Sequence, residues 1–397
     1  MGGADRDWVN LLNALGPDQV RVTWVGNSGA EALRECVDKR VLVRTLNIPH
    51  PCFYDLVPDN AYTPKSKWLW TKILVASSAS LVRSFFKLRR ALGRDQVDLV
   101  LTNTVVVLLG AFFARLTNRP HVWNIKEHLD PRLIASRRFA KVITRFSSAV
   151  VVPSRVIGEA FESRLHVLPD GGDIEAIKAS VKSTREQVLL GLNLPLTLPM
   201  VAQVGAISRR KGQYVTAEAF VRLAAKGGPP SFSLVFFGSG NKEETERLNR
   251  ILAQAQPEWR AVVKTAVFGD GDLSALAAAD VLVHPSTFQD AFPNAVREAM
   301  TLGKPVIAAA IGGMPDMIVE GVNGVLIPPD DAPALALALE RFLESTELRR
   351  QLGANAEIFA RQNFDIQLRK LAFIDLFRRL TSKQRVTTAT PLGREAE

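Results

Sequence analysis

The sequence predicts an α/β protein made of two doubly wound parallel-sheet domains facing each other across a cleft. Three observations carry that prediction. The chain has 397 residues, more than one ordinary core organises and suited to two domains of roughly 180 residues each. Short β-branched runs alternate with helical stretches from end to end, the pattern of parallel sheets with helices on both faces. Between the halves, LNLPLTLP at 192–199 is punctuated by proline and reads as a linker.

Strands are expected in the first half at 20–25, 41–46, 99–102, 121–125, 149–152 and 166–168, and in the second at 200–204, 233–237, 262–268, 281–284, 305–309 and 325–327. Each sheet would hold six strands. The boundary falls near 180–198, giving a first domain over 1–180 and a second over 181–363. An amphipathic helix follows over 364–380, and the polar stretch 381–397 reads as a disordered tail. A doubly wound domain ordinarily opens on a buried strand that leads into a glycine-rich turn. This chain opens at the turn itself, Gly2-Gly3-Ala4, and continues into a helix over 7–15, so either the first N-terminal strand lies upstream of this sequence or it is missing and the sheet is short by one strand.

An apolar fraction of 47% and a charged fraction of 23% place the chain among folded proteins and away from disordered ones. The two cysteines, Cys36 and Cys52, lack metal-ligand spacing and suit a reducing compartment. No basic leader with an apolar core opens the chain. The most apolar run, 99–113, is broken by Thr102, Asn103 and Thr104 and is shorter than the roughly 20 residues of a spanning helix. A cytoplasmic protein is expected. Its net charge of +10 is uneven, +8 over 1–180 against +2 over 181–397. The basic half suits phosphate-bearing ligands or an anionic membrane, such as the inner face of the plasma membrane. No nucleic-acid motif or base-stacking pattern is present, so a nucleic-acid partner is not expected. The runs KSKWLWTK at 65–72 and FFKLRR at 85–90 mix cations with aromatics as interfacial helices do. They equally fit aromatics packed on a sheet beside snorkelling lysines.

The chemistry concentrates in 201–330. The strand at 200–204 ends in Gly205, and the loop AISRRKG places Arg209, Arg210 and Lys211 at the sheet edge where ligands of such folds bind. A lysine beside a glycine there can reach a diphosphate. Gly238 opens the turn GSGN after the second strand, a mark of register more than of function. The strand at 281–284 leads into PSTFQDAFPNAVREAM, where Asp290 lies in a loop and Glu298 about one turn into a helix starting at Pro293 or Asn294. Both carboxylates can then face one ligand, and carboxylates suit vicinal sugar hydroxyls. The amides of Asn294 and Ala295 at the helix start form a natural seat for phosphate. Further on, the paired glycines of IGGMPD at 311–316 could lie against a ligand. His284, at a strand end, reads as a packing residue. No cluster of metal ligands is visible, so a fixed cation and helix amides would have to stabilise a departing diphosphate.

In order and spacing, VGAISRRKGQ, FGSGN, HPSTFQDAFPNAVREAMTLGKPVIAA, IGGMPD and GVNGVLIPPDD resemble glycosyltransferase family 4. GGADR, DLVLTN, VVPSRVI and HVLPDGGDIEAI extend the likeness, more loosely, into the first half. The resemblance implies the GT-B fold and metal-independent, retaining transfer of a hexosyl group from a nucleotide-sugar, with UDP- or GDP-sugar as co-substrate and no cofactor. It implies a glycan or lipid-linked acceptor in polysaccharide or lipopolysaccharide synthesis, bound by the N-terminal domain. Lys211 would bind the donor diphosphate, Glu298 the ribose and Asp290 the sugar. Backbone at Phe292, Pro293, Asn294 and Ala295 would hold sugar and phosphate. Gly205, Gly238 and Phe268 would line the donor, the Gly2-Gly3 loop would approach from the opposite domain, and helix 364–380 would cross back to the first domain.

Three departures stand out. Ala206 replaces an arginine usual in the family, which leaves Arg209 or Arg210 as the second cation. Asp290 replaces a glutamate. Past the strand at 121–125, where the family often has a histidine, this chain reads Lys126-Glu127-His128. His128 is either that group shifted by two residues or a simple surface histidine, or Lys126 stands in the group's place with Glu127 beside the acceptor. Two other readings compete: a catalytically degenerate partner that binds nucleotide or glycan without turnover, and a nucleotide-sugar epimerase.

Overall fold

The structure, a computed structural model, describes residues 3–16, 19–26, 35–41, 43–50, 67–264 and 272–388. The chain divides into two compact units, Met1–Gly171 with Ile366–Glu397, and Gly172–Asp365. The change of unit therefore comes earlier than the boundary expected near 180–198. Local packing explains the difference. Asp173 caps helix Ile174–Ala179 by accepting from Ala176 N at 2.9 Å, and the helix buries Ile174. Helix Arg185–Gly191 carries a Thr184/Gln187 capping box and drives Leu189 into the core of the second unit. Both segments therefore belong to that unit, ahead of the proline-rich run.

In the first unit, β1 (Val22–Gly26) pairs in parallel with β2 (Val43–Asn47), while β3 (Val100–Asn103), β4 (His121–Asn124), β5 (Ala149–Val152) and β6 (Leu165–Val167) form a separate parallel sheet in that order. The single six-stranded sheet expected from the strand count is thus divided, because sequence spacing locates strands without fixing their hydrogen-bonding neighbours. Among the described residues no strand bridges β1 and β3. β4 and β5 are buried throughout, whereas β1 is half-buried along its length. Helix Gly3–Leu15 starts before the expected 7–15, since Trp8, Leu11, Leu12 and Leu15 recur at helical spacing and are drawn onto the core. Gly3 is accordingly helical and not part of a loop; Gly2 lies outside the described residues.

Helix Ile366–Thr388 returns to the first unit, where Ile366, Phe373 and Leu376 join Trp8 and Leu11 in one core. It continues beyond the expected end at 380, so part of the predicted tail is helical; 389–397 lie outside the described residues. The opposite helical layer, Lys67–Leu92, buries Phe85 and Leu88 against Leu109 and Phe113. Phe85 is therefore a packing residue. In the interfacial stretch considered from sequence, 65–66 lie outside the described residues.

A buried quartet of charges ties this unit together. Lys126 Nζ bonds Asp7 and Asp170, each at 2.7 Å, and Arg369 of the returning helix bonds Asp170 and lies 3.0 Å from Asp7. Burial pushes the Asp170 carboxyl up, but the charges of Arg369 and Lys126 outweigh it and hold it well below the usual carboxylate range. A depressed carboxyl stabilises the fold fully above its unfolded pKa of about 4 and loses that contribution only in stronger acid. Asp170→Ala, which leaves Lys126 and Arg369 to share the single carboxylate of Asp7, should cost about 3 kcal/mol in denaturant unfolding at neutral pH. A cost below about 1 kcal/mol would show that the quartet does not hold the unit.

The second unit is one six-stranded parallel sheet in the order β12 (Gly324–Ile327), β11 (Val306–Ala309), β10 (Val281–His284), β7 (Met200–Val204), β8 (Ser233–Phe237), β9 (Ala261–Lys264). β7, β8, β10 and β11 are buried on both faces, as their unbroken apolar runs require. One face packs through mutually edge-on Phe220, Phe232 and Trp259, the other through Met200, Leu282, Met300 and Phe364. Residues 265–271, including Phe268, lie outside the described residues. Strand order reverses between β7 and β10, and in doubly wound sheets a ligand crevice opens at the carboxyl ends of such a pair.

Candidate functional site

Both loops leaving this switch point are fixed to each other by backbone contacts. After β7, residues Arg209–Lys211 form one 3-10 turn that ends at Gly212. Gly212 has φ +71°, and a Cβ there would stand 1.8 Å from Pro285 O in the loop after β10, so only glycine fits. Ser286 Oγ donates to Arg210 O at 2.8 Å, Thr287 N donates to the same oxygen at 3.0 Å, and Thr287 Oγ1 donates to Arg209 O at 2.9 Å. From beneath, Gln203 Nε2 donates to Lys211 O at 2.7 Å and Gln213 Nε2 to Ala206 O at 2.9 Å. Gly205 N donates to Phe237 O, and Ile207 N to Ser239 O, which joins the Gly238 turn to the same cluster.

Lys211 Nζ donates to Asp290 Oδ2, so the two loops also share an ion pair. His284, at the end of β10 and only 2% exposed, places Nε2 3.6 Å from the same carboxylate oxygen. That separation is too long for a hydrogen bond, and Nε2 has no hydrogen-bond partner. Burial pushes the Asp290 carboxyl up, but His284 and Lys211 together outweigh it and hold it well below the usual carboxylate range. The Asp290 backbone is anchored as firmly: Gly313 N donates to its carbonyl at 2.8 Å, and a Cβ at Gly312, φ +64°, would lie 2.3 Å from that oxygen. The paired glycines, read from sequence as a possible ligand contact, serve here to seat the Asp290 loop.

Helix Asn294–Thr301 begins four residues beyond Asp290, with Pro293 in the N-cap position. Its first intrahelical bond is Arg297 N to Pro293 O, so the amides of Asn294, Ala295 and Val296 precede the ladder and are directed out of the helix N-terminus. That end carries partial positive charge. Glu298, 7% exposed, sits one turn further on the same helix. The side chain of Phe292 is buried edge-on against Phe364, 5.0 Å between centroids, so at this position backbone alone is available to a ligand. Arg210 lays its guanidinium over Phe288 at 4.0 Å, whereas Arg209 is exposed.

The structure thus brings together Lys211, Asp290, Asn294 and Ala295, with Glu298 on the same helix. Lys126, Glu127 and His128 follow β4 in the first unit. Lys126 belongs to the buried quartet. Glu127 accepts from Thr104 Oγ1, from Val105 N at 3.3 Å and from Lys126 N at 3.2 Å. Thr104 itself sits in the left-handed region at φ +84°, a conformation that costs about 1–3 kcal/mol. His128 is half-buried beside them. Sequence reasoning missed Gln203, Gln213 and the second role of His284. Their only signal was a polar residue at a buried end of a strand or helix. No group of three metal-ligating side chains occurs among the described residues.

Residues 189–359 match the family model of glycosyl transferases group 1. The chain is 29% identical over 226 residues to the D-inositol 3-phosphate glycosyltransferase of Xylanimonas cellulosilytica, covering 56% of this chain and 52% of that protein. It is 28% identical over 237 residues to the 2-deoxystreptamine N-acetyl-D-glucosaminyltransferase of Streptomyces fradiae, covering 58% and 55%. The chain therefore spans about half the length of the curated relatives it matches. Among solved structures, Anabaena HepE in complex with UDP aligns with a TM-score of 0.73 at 20% identity, over 96% of this chain and 97% of that one. Sucrose-phosphate synthase from Thermosynechococcus elongatus aligns with a TM-score of 0.72 at 20% identity, over 96% and 94%. The fold class is GT-B, and the likeness to glycosyl transferases group 1 lies in residues 189–359, less than half of the chain.

Two outcomes test the site's construction. Because Asp290 is ionised well below the usual range, the stability difference between wild type and Asp290→Asn should stay constant from neutral pH down to about pH 4 and shrink below it. A difference that disappears already at higher pH would contradict the pairing. Gly312→Ala should cost at least about 1–2 kcal/mol from its backbone conformation alone in thermal unfolding. A variant as stable as wild type would mean that the Asp290 loop is not seated this way.

Proposed function

We propose that the protein is a retaining, metal-independent glycosyltransferase that moves a hexosyl group from a nucleotide-sugar to a hydroxyl-bearing acceptor. The observation that carries this reading is the Lys211–Asp290 pair beside the N-terminus of helix Asn294–Thr301, with Glu298 on that helix. A diphosphate needs a cation and free amides, and a ribose needs a buried carboxylate; these groups lie on two adjoining loops and one helix. By their names the relatives above are glycosyltransferases of D-inositol 3-phosphate and 2-deoxystreptamine, and HepE is seen in complex with UDP, which supports UDP as the first donor nucleotide to try.

In this reading Lys211 leaves Asp290 for the diphosphate as the donor enters. The Asn294 and Ala295 amides take a phosphoryl oxygen, Glu298 the ribose hydroxyls, and Asp290 turns to a sugar hydroxyl. As the glycosidic bond to the diphosphate breaks, negative charge grows on the leaving oxygen, where a prepaid cation and helix dipole are most effective. Gly205 and Gly238 would let backbone approach the donor. In the first unit, Glu127 and His128 are assigned to the acceptor side, and Lys126 to structure. The acceptor is a glycan or lipid-linked glycan of a cell-surface polymer, or a cyclitol like those named in the relatives.

A second reading, a nucleotide-binding partner without turnover, is favoured by Ala206 and by the stacking of Arg210 on Phe288, which leaves Lys211 with Arg209 to meet two phosphates. A thermal-shift screen against UDP-, GDP-, ADP- and TDP-sugars separates the readings when followed by product analysis. A donor present at 100 times its dissociation constant should stabilise the protein by about 2.7 kcal/mol, and transfer or slow donor hydrolysis should follow. Stabilisation without either would favour the partner reading. Lys211→Ala and Glu298→Ala should each reduce donor turnover at least about a hundredfold while the fold, read by circular dichroism, stays intact. Wild-type turnover in either variant would remove the site assignment.

A further inference from the structure

One surface of the first unit has no part in the site described above. Helix Ile134–Arg145 buries Ser136, Ala140 and Ile143 and turns a broad face outward. Two neighbouring rows run along that face at four-residue spacing. The first is cationic throughout: Arg137, Lys141 and Arg145, all exposed. The second is Ile134, Arg138, Val142 and Phe146, with Ile134 61%, Val142 48% and Phe146 42% exposed. The surface extends sideways. Arg145 and Phe146 line a shallow depression of about 460 Å³ with Arg115, Arg119 and Arg164, and next to Arg115 the side chain of Leu116 is 56% exposed. Arg164 donates to Thr144 O and Ser147 O, which fastens its turn to the helix end and makes the surface one continuous piece.

Folding does not account for this arrangement. Among the described residues none of Arg115, Arg119, Arg137, Arg138 and Arg145 has an acidic partner, and Lys141 meets only the exposed Glu162, at 3.9 Å. The helix has no acidic residue in its first turn, and Arg137 and Arg138 crowd its N-terminal half, where the dipole disfavours cations. Arg145 alone sits where a cation complements a helix end. Like charges at four-residue spacing repel, so the row costs stability unless an external anion balances it.

We infer that this face docks on an anionic lipid surface, with the cationic row at the headgroups and Ile134, Val142, Phe146 and Leu116 entering the acyl boundary. Charge complementarity selects a polyanion, and the interleaved apolar side chains, aliphatic but for Phe146, select a lipid over a nucleic acid, which would call for several stacking aromatics or a groove-shaped cation track. The inference concerns a different face from the interfacial run considered at 65–90, and it stands or falls independently of the proposed activity.

The test is co-sedimentation of the full chain with vesicles of phosphatidylcholine alone and of phosphatidylcholine with phosphatidylglycerol, at low and at physiological salt. The chain should pellet with the anionic vesicles and remain in the supernatant with the neutral ones, and added salt should weaken binding. The combined variant Arg137→Gln, Arg138→Gln, Lys141→Gln, Arg145→Gln should lose at least about tenfold in binding, with an unchanged thermal midpoint and circular dichroism. Val142→Ser with Phe146→Ser, which keeps every charge, should also bind more weakly. Absence of pelleting with anionic vesicles would overturn the inference. So would pelleting of the combined variant equal to wild type, or tight binding to polyuridylic acid at the same salt that the serine variant leaves intact. If the combined variant does not fold, the serine variant decides, since vesicle binding equal to wild type would then contradict apolar insertion.

Discussion

The ion pair between Lys211 and Asp290 is the constraint on which the second unit's site depends. Each partner comes from a different loop, one after β7 and one after β10, and those loops leave adjacent strands on either side of the reversal in strand order. The pair could not form without Gly212, whose missing side chain lets Pro285 O approach, or without Gly312, which admits the Asp290 carbonyl. Backbone geometry is therefore what brings a cation and an acid to one point. Each partner is part-exposed, so in the proposed function a diphosphate would compete for the ammonium without opening the core.

Most of the second unit was legible in the sequence because its strands are continuous apolar runs and its loops carry glycine, proline and acids at fixed offsets. Helix Asn294–Thr301 begins where Pro293 and Asn294 suggested, and Lys211, Asp290 and Glu298 occupy the loop and helix positions expected of them. What the sequence concealed was contact across the chain. His284 looked like packing because nothing in its neighbours shows that a buried imidazole will end 3.6 Å from Asp290. The Ile311-to-Asp316 glycines looked like a ligand contact because a glycine's reason for being small lies in whatever approaches it, here Asp290 O.

The first unit was less legible for a related reason. Its strands were located well, but strand neighbours are set by hydrogen bonds that spacing does not encode, so the division between β1-β2 and β3–β6 was not foreseen. Nor was the quartet of Asp7, Lys126, Asp170 and Arg369, whose members are separated by up to 362 positions yet share one buried space. Lys126 was weighed as a catalytic candidate from its place after a strand. Its two carboxylate partners show that the same residue type at a strand end can be committed to holding a helix in place, which leaves Glu127 and His128 as the candidates with other roles.

The central claim, that Lys211 is held by Asp290 until a diphosphate takes it, is tested most directly by calorimetric titration of UDP into wild type, Asp290→Asn and Lys211→Ala. Removing the competing carboxylate should leave UDP affinity equal to or above that of wild type, while removing the ammonium should weaken it at least about tenfold, the scale of one charge-assisted contact. A loss of affinity in Asp290→Asn as large as that in Lys211→Ala would contradict the claim, since the carboxylate would then be supporting the nucleotide instead of waiting for it.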